Sequence, residues 1–305
     1  MSEKHTTKKR PVRPAAVVGI VVWSLVFCLL GSLLTAGLAG NGFHIVSIGG
    51  FDVLSFGGFV YEDAHEYNVG NATVEENITD LEIQWVTGNV TVIPSEDGVI
   101  TVTEDYGGED TDCRLRWRVY DGKLTVQFRK STLFGSVTSL HKDLTVAIPA
   151  SMLEAMGDVE IAVFSGDVTY TGNADELTLD AVEGTLTVSG DVGDMEVDSV
   201  DAGVFFRGGI RRGVFDCVDA DVTMYLDMAT DLDFDQVDGD VLLYLSEEIE
   251  GFSVEMDSLD GDVIADGFED LRKTDGESLR WGNGSLKIRI SGLNSKLEIK
   301  KSTKD

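Results

Sequence analysis

Two carboxylates flank a glycine at Val237-Asp238-Gly239-Asp240-Val241, and Leu259-Asp260-Gly261-Asp262-Val263 repeats the arrangement. Carboxylates placed this way have three uses. They can offer hard oxygen ligands to calcium, which takes about six to eight of them. They can serve as acid and base on either side of a glycosidic bond. They can also do no more than populate an exposed turn. Other chemistry is sparse. The four histidines, His5, His44, His65 and His141, have no Cys or Asp partner at ligand or triad spacing. No G-x-S-x-G, P-loop or H-E-x-x-H motif occurs. With 54 Asp and Glu in the chain, some pair always sits at a workable separation, so acid pairing does not single out a glycosidase. The chain reads as non-enzymatic.

The Asp-Gly-Asp turn belongs to a repeat. Aligned on the small turn residues Gly166, Gly184, Ala202, Ala220, Gly239 and Gly261, the spacings are 18, 18, 18, 19 and 22. Two positions after each stands Val168, Leu186, Val204, Val222, Val241 or Val263, and two before stands Phe164, Val182, Val200, Val218, Val237 or Leu259. Period-two alternation within each unit marks half-buried strands. One unit of this length cannot bury its own apolar stripe, whereas stacked units can. The expected fold is therefore all-β, a β-solenoid of coils of about 18–22 residues. The end of the chain, Leu286, Ile288 and Ile290 followed by Leu297 and Ile299, reads as a closing strand pair. Its Lys296, Lys300, Lys301 and Lys304 would keep the last edge from pairing with other chains.

Stacking also aligns the acids. Four positions before each turn residue come Asp180, Asp198, Asp216, Asp235 and Asp257; one before come Glu183, Asp201, Asp219, Asp238 and Asp260. One after come Asp167, Asp221, Asp240 and Asp262, interrupted by Thr185 and Gly203. Equivalent residues on neighbouring coils lie about 4.8 Å apart, where two charges repel by roughly 1 kcal/mol in water. Eight such pairs in the first two columns would cost on the order of 8 kcal/mol, comparable with the net stability of a domain. Screening by salt, raised pKa values or bound cations would relieve it. Asp198, Asp201, Asp216, Asp219, Asp221, Asp235, Asp238, Asp240, Asp257, Asp260 and Asp262 are thus candidate cation ligands, with Ca2+ the natural ion outside a cell. The competing reading is an acidic face that keeps the sheet soluble. Neither the glycine-rich nonapeptide of calcium-binding β-rolls nor an EF-hand spacing is present.

The remaining sequence says where such a body sits. The chain carries 24 Lys and Arg against 54 Asp and Glu, a net charge of −30. A body this acidic repels phosphate, which excludes nucleic acid. Residues 1–14 hold five bases against Glu3, and no charge follows until after Gly40. Ala15 to Ala39 is uncharged and mostly apolar, longer than the roughly 20 residues needed to cross a bilayer. Preceded by that basic cluster, it reads as one transmembrane helix with the N-terminus in the cytoplasm. A cleaved signal peptide ending near Gly37-Leu38-Ala39 is the rival reading. Residues 1–14 would then be a cytoplasmic tail, 15–39 the span, 40–80 a juxtamembrane segment and stalk, and 81–305 an extracellular acidic ectodomain. Cys113 and Cys217, in that outer part, could form a disulfide or remain buried thiols. Arg207, Arg211 and Arg212 form a basic cluster expected to pair with neighbouring acids.

Trp85-Val86-Thr87-Gly88-Asn89-Val90, Phe164-Ser165-Gly166-Asp167-Val168 and Trp281-Gly282-Asn283-Gly284-Ser285-Leu286-Lys287-Ile288 resemble the bacterial "putative adhesin" domain, a β-strand-repeat domain found behind an N-terminal membrane helix. The resemblance runs from about Leu81 to Lys300. It departs at the turns, where Val-Asp-Gly-Asp replaces the usual Ser-Gly-Asp. It implies a surface interaction module whose partner is an extracellular protein or a wall or glycan polymer. The alternatives are an accessory or sensor of a cell-envelope stress response and, third, a carbohydrate-active enzyme.

Overall fold

The structure, a computed structural model, describes residues 46–48, 51–54, 58–132, 140–258, 261–273 and 279–302. The segment 15–39 expected to cross the membrane lies outside them. Among the described residues, no helix is long and apolar enough to cross a membrane.

The alternating pattern forms strands almost throughout. A small antiparallel sheet joins β1 (Val46–Ile48), β2 (Phe51–Leu54) and β3 (Gly58–Val60). The second sheet begins with β4 (Asn68–Val69), β5 (Ala72–Val74), β6 (Asp80–Thr87), β7 (Val90–Ser95) and β8 (Ile100–Glu104). Next come β9 (Arg116–Tyr120), β10 (Lys123–Gln127), β11 (Leu144–Pro149), β12 (Met156–Ser165) and β13 (Val168–Thr171). The longest strands follow: β14 (Ala174–Ser189), β15 (Val192–Asp219) and β16 (Val222–Leu245). The chain ends with β17 (Gly251–Ser258), β18 (Asp262–Asp266), β19 (Arg272–Lys273), β20 (Leu279–Gly282) and β21 (Leu286–Lys301). From β4 to β21 these make one hydrogen-bonded sheet that curls round and closes on itself.

The register is the repeat made visible. The strand β14 lies parallel to β15 with Ala174 beside Val192 and Leu186 beside Val204, an offset of 18 residues throughout. Its first half also pairs with β12 and its second half with β13, again in parallel. The sheet thus has a first wall (β10, β6, β12 and onward) and a second (β11, β7, β13 and onward). Corners between them fall at the small residues of the repeat. Inward side chains stack like on like: Phe215 and Phe234 lie parallel with ring centroids 4.8 Å apart. Leu177, Leu179, Leu186 and Val188 are wholly buried.

Chain order is broken at both ends. On the N-terminal side β6 sits between β10 and β12, and β7 between β11 and β13. On the C-terminal side β21 sits between β16 and the pair β17 and β18. The expectation that β21 closes the end is therefore corrected: its lysines face acidic strands on both sides, with Lys296 between Asp240 and Asp262. Outer edges are covered by antiparallel strands instead, β9 with β4, β8 with β5, and β20 on β17. Covering an edge in this way blocks pairing with other chains. Residues 58–80, read from sequence as part of a stalk, belong to this body. They supply β4 and β5 and bury Phe59, Val74 and Ile78, because those few apolar side chains fill the gap under the antiparallel cap.

Corners accept only what the neighbouring backbone permits. Gly184 has φ 141°, and a Cβ there would lie 2.1 Å from the carbonyl oxygen of Gly166 one repeat earlier. Gly239 is held the same way against Ala220. Gly184→Ala is expected to lower stability by at least about 2 kcal/mol, through strain at positive φ and overpacking together. Thermal unfolding measures it, and an unchanged midpoint would refute the corner geometry.

Candidate functional site

The acidic columns fall where the register puts them, except that β21 interrupts each of the three. In the first column Asp180 lies beside Asp198, and Asp216 beside Asp235. The next member is Ser291 of β21, which separates Asp235 from Asp257. In the second column Glu183 lies beside Asp201 and Asp219 beside Asp238, after which Asn294 intervenes and donates to Asp238 at 3.0 Å. Asp260 lies outside the described residues. In the third, Lys296 separates Asp240 from Asp262. The inserted strand thus removes two of the eight expected repulsive pairs and replaces a third acid–acid contact by a lysine. Spacing along the sequence cannot reveal an inserted strand.

The third column has a structural use. Asp167 Oδ1 accepts from the Thr185 backbone N–H at 2.9 Å, 18 residues on, and Asp221 Oδ1 accepts from Asp240 N–H at 3.0 Å. At the opposite corner Asn173 Oδ1 takes Asp191 N–H at 2.8 Å, and Asp191 Oδ1 takes Gly209 N–H at 2.7 Å. Each side chain ties one segment to the next by meeting a backbone donor the corner leaves free.

The first column is different, because nothing neutralises it until Ser291. Asp180 is 2% exposed and its Oδ2 has no hydrogen-bond partner. Burial, then the charges of Asp198, Glu160 and Glu196, push its carboxyl up to about 7. Burial and the neighbouring Asp198 and Asp235 push Asp216 up to about 6, while burial with the charge of Glu196 raises Asp198 and burial with that of Asp233 raises Asp235. Burial first, and like charge second, favour the protonated carboxyls in this column. Asp180 stands in the expected column, but its burial could not be read from an acid in an otherwise exposed series. Among the described residues, no group of three or more His, Cys, Asp or Glu is arranged to hold a metal ion.

Other candidates resolve into packing. Arg211 pairs with Asp194 at 2.5 Å, as expected of the basic cluster, whereas Arg207 lies over the Tyr225 ring at 4.9 Å. Arg289 of β21 bridges Asp231 and Asp233 at 2.8 and 3.0 Å. Cys113 and Cys217 are free thiols, and burial pushes Cys217 up to about 11. A buried polar cluster pins the N-terminal cap. Lys142 Nζ donates to Glu104 Oε2 at 2.5 Å, to Cys113 O at 2.9 Å and to Phe128 O, beside the rings of Trp85 and Phe128. Glu104 in turn accepts from Leu115 N–H at 2.9 Å, and burial lowers Lys142 to about 8.

On the outer side of the second wall two columns are free of acid from β11 to β16, and Glu298 of β21 and Asp266 of β18 follow beyond them. Thr145, Thr91, Thr169, Thr187, Phe205 and Thr223 stand side by side in register on successive strands, all half-buried. The adjoining column runs Thr171, Ser189, Arg207 and Tyr225. Tyr225 and Tyr244 stack with centroids 4.4 Å apart and planes 6° from parallel, and Phe205 lies 5.6 Å from Tyr225. Lys300 caps the far side of the Tyr244 ring at 5.9 Å. Sequence spacing did not single out these columns. Their freedom from acids shows when the register is laid beside the charge.

No protein-family model matches the chain, and no curated protein matches it. Solved structures similar to it include a putative adhesin from Bacteroides fragilis, at 12% identity and TM-score 0.40, spanning 76% of this chain and 97% of that one. A putative adhesin from Parabacteroides distasonis has 12% identity and TM-score 0.34, over 77% and 97%. A putative cell adhesion protein from Clostridium sporogenes has 12% identity and TM-score 0.32, over 77% and 100%. Likeness at this level does not transfer a ligand or partner.

Two substitutions test the buried polar groups. The folded-state pKa of Asp180 lies above its unfolded value of about 4, so its unfavourable contribution is absent at low pH and complete above about 7. Asp180→Asn should therefore raise the unfolding midpoint by a few degrees at pH 8 and leave it unchanged near pH 4; equal effects at both would contradict the assignment. Lys142→Met leaves Glu104 buried and uncompensated, and should cost about 3–5 kcal/mol in denaturant unfolding. Adding Glu104→Gln should recover part of that loss.

Proposed function

We propose that this chain is a non-enzymatic interaction module displayed outside the cell. The 18-residue parallel register supports reading the body as a β-solenoid, the long strands being successive coils. The apolar segment 15–39 behind a basic N-terminus supports a single membrane anchor with the body on the outer side. One observation carries the reading of interaction rather than catalysis: the separation of charge between faces. Acids crowd the first wall and both sets of corners, yet the outer side of the second wall keeps a regular carboxylate-free surface across six neighbouring strands. A long, flat, regular face suits an extended contact, whereas small-molecule sites are concave with a few convergent polar groups. The cleft lined by Asp191, Asp227, Met228, Glu248 and Ser285, about 540 Å³, opens at the Asp191 corner and takes in no residue of the threonine column.

Topology provides the test. Intact cells expressing the full chain, tagged at both ends, are treated with external protease. The C-terminal tag should be lost and the N-terminal tag kept. Protection of both tags in intact cells, with loss of both on lysis, would overturn the surface reading.

A further inference from the structure

We infer that the threonine and tyrosine face of the second wall binds a neutral, hydroxyl-rich β-linked polysaccharide laid along the sheet across its strands. This deepens the surface-module reading and rests on it. The face is a strip whose rows repeat every strand, about 4.8 Å. From Thr145 to Thr223 it runs through six strands, about 24 Å. That repeat is close to the advance of one sugar in an extended β-linked hexose chain, so successive rows can meet successive rings.

Three features fix the chemistry of the occupant. First, the hydroxyls of Thr145, Thr91, Thr169 and Thr187 are engaged by no other group among the described residues, which leaves donors and acceptors for a ligand that has both. Threonine on a strand is also stiff at χ1, so these hydroxyls are ordered before binding. Second, charge excludes the competitors. Acidic corners border the strip, Asp167 and Asp221 on one side and Asp191 on the other, within a chain of net charge −30. An anionic polymer is repelled by those borders, and a cationic one is drawn to the first wall instead. A second copy of the chain would bring two strongly acidic bodies together. A neutral polymer bears neither cost.

Third, the strip ends in an aromatic stack. Arg207, Tyr225, Tyr244 and Lys300 form one stack, with the two cations closing the outer faces of the paired rings. The rings are held by this stacking, and Lys300 also pairs with Glu298 at 3.0 Å. Phe205 joins the threonine column to them. The half-buried Phe205 within the threonine column offers the contact for a sugar's C–H groups, and its hydroxyls meet the threonines.

The experiment uses the full chain purified in detergent and measures retention on insoluble cellulose, chitin and curdlan, with polygalacturonate beads as the anionic comparison. Retention on at least one neutral polymer, little changed between low and high salt, is expected, and polygalacturonate should retain nothing. Thr169→Val with Thr187→Val removes the hydroxyls while keeping strand shape, and should weaken retention about tenfold with the unfolding midpoint held. Tyr225→Ala should weaken it several-fold. Retention on no neutral polymer, retention on polygalacturonate alone, or full retention by the double valine variant overturns the inference. So does self-association in sedimentation that the valine variant abolishes, since the occupant is then a second copy. Because topology is read separately by protease accessibility, a chain that is exposed but not retained refutes the ligand class alone.

Discussion

Parallel pairing at a constant offset of 18 residues governs this molecule, because it makes each residue the neighbour of its own equivalent. Like stacks on like, and the outcome depends on the side chain. Phenylalanines gain from it, as the parallel rings of Phe215 and Phe234 show. Asn173, Asp167, Asp191 and Asp221 gain as well, since each meets a backbone N–H of the next segment. The aspartates of the first column lose, because they are buried and have further carboxylates beside them. Their response is to keep protons to higher pH rather than to separate.

The two inserted pieces, β6 with β7 and β21, address the same constraint at the ends. A stack built in strict chain order would expose its last strands and extend its acid columns to the edge. Placing β21 one step inside puts Ser291, Asn294 and Lys296 into three columns that would otherwise continue as acids. It also brings Arg289 onto Asp231 and Asp233. The strand is basic because of where it sits. At the other end the buried Lys142–Glu104 pair holds β11 and β8 together under an antiparallel cap.

Much of this was legible in the residue order. The corner residues Gly184 and Gly239, and the apolar column that runs through Leu186 and Val204, appear where the spacing put them. The insertions were not legible, because a column of equivalent residues says which positions align but not which segments touch. Gly239 and Gly261 are consecutive in the repeat and yet separated in space by β21. Residues 68–74 were too polar to announce strands, and their pairing with β9 and β8 is decided by backbone hydrogen bonds rather than side-chain pattern. Asp180 carried no mark of its own, since its perturbation comes from burial that its sequence neighbours do not show.

One register thus produces two unlike surfaces, a wall lined by a column of aspartates and a wall whose two outward columns carry hydroxyls and no acid from β11 to β16. The claim beneath both is that Thr169, Thr187 and Phe205 stand on consecutive strands. Pairwise cysteine substitution measures this directly in a chain whose native cysteines are replaced by serine. Oxidative cross-links mapped by mass spectrometry should join positions 169 with 187 and 187 with 205, one strand apart, and should not join 169 with 205. Efficient linkage of 169 to 205, or none between 169 and 187, would contradict the 18-residue register and everything built on it.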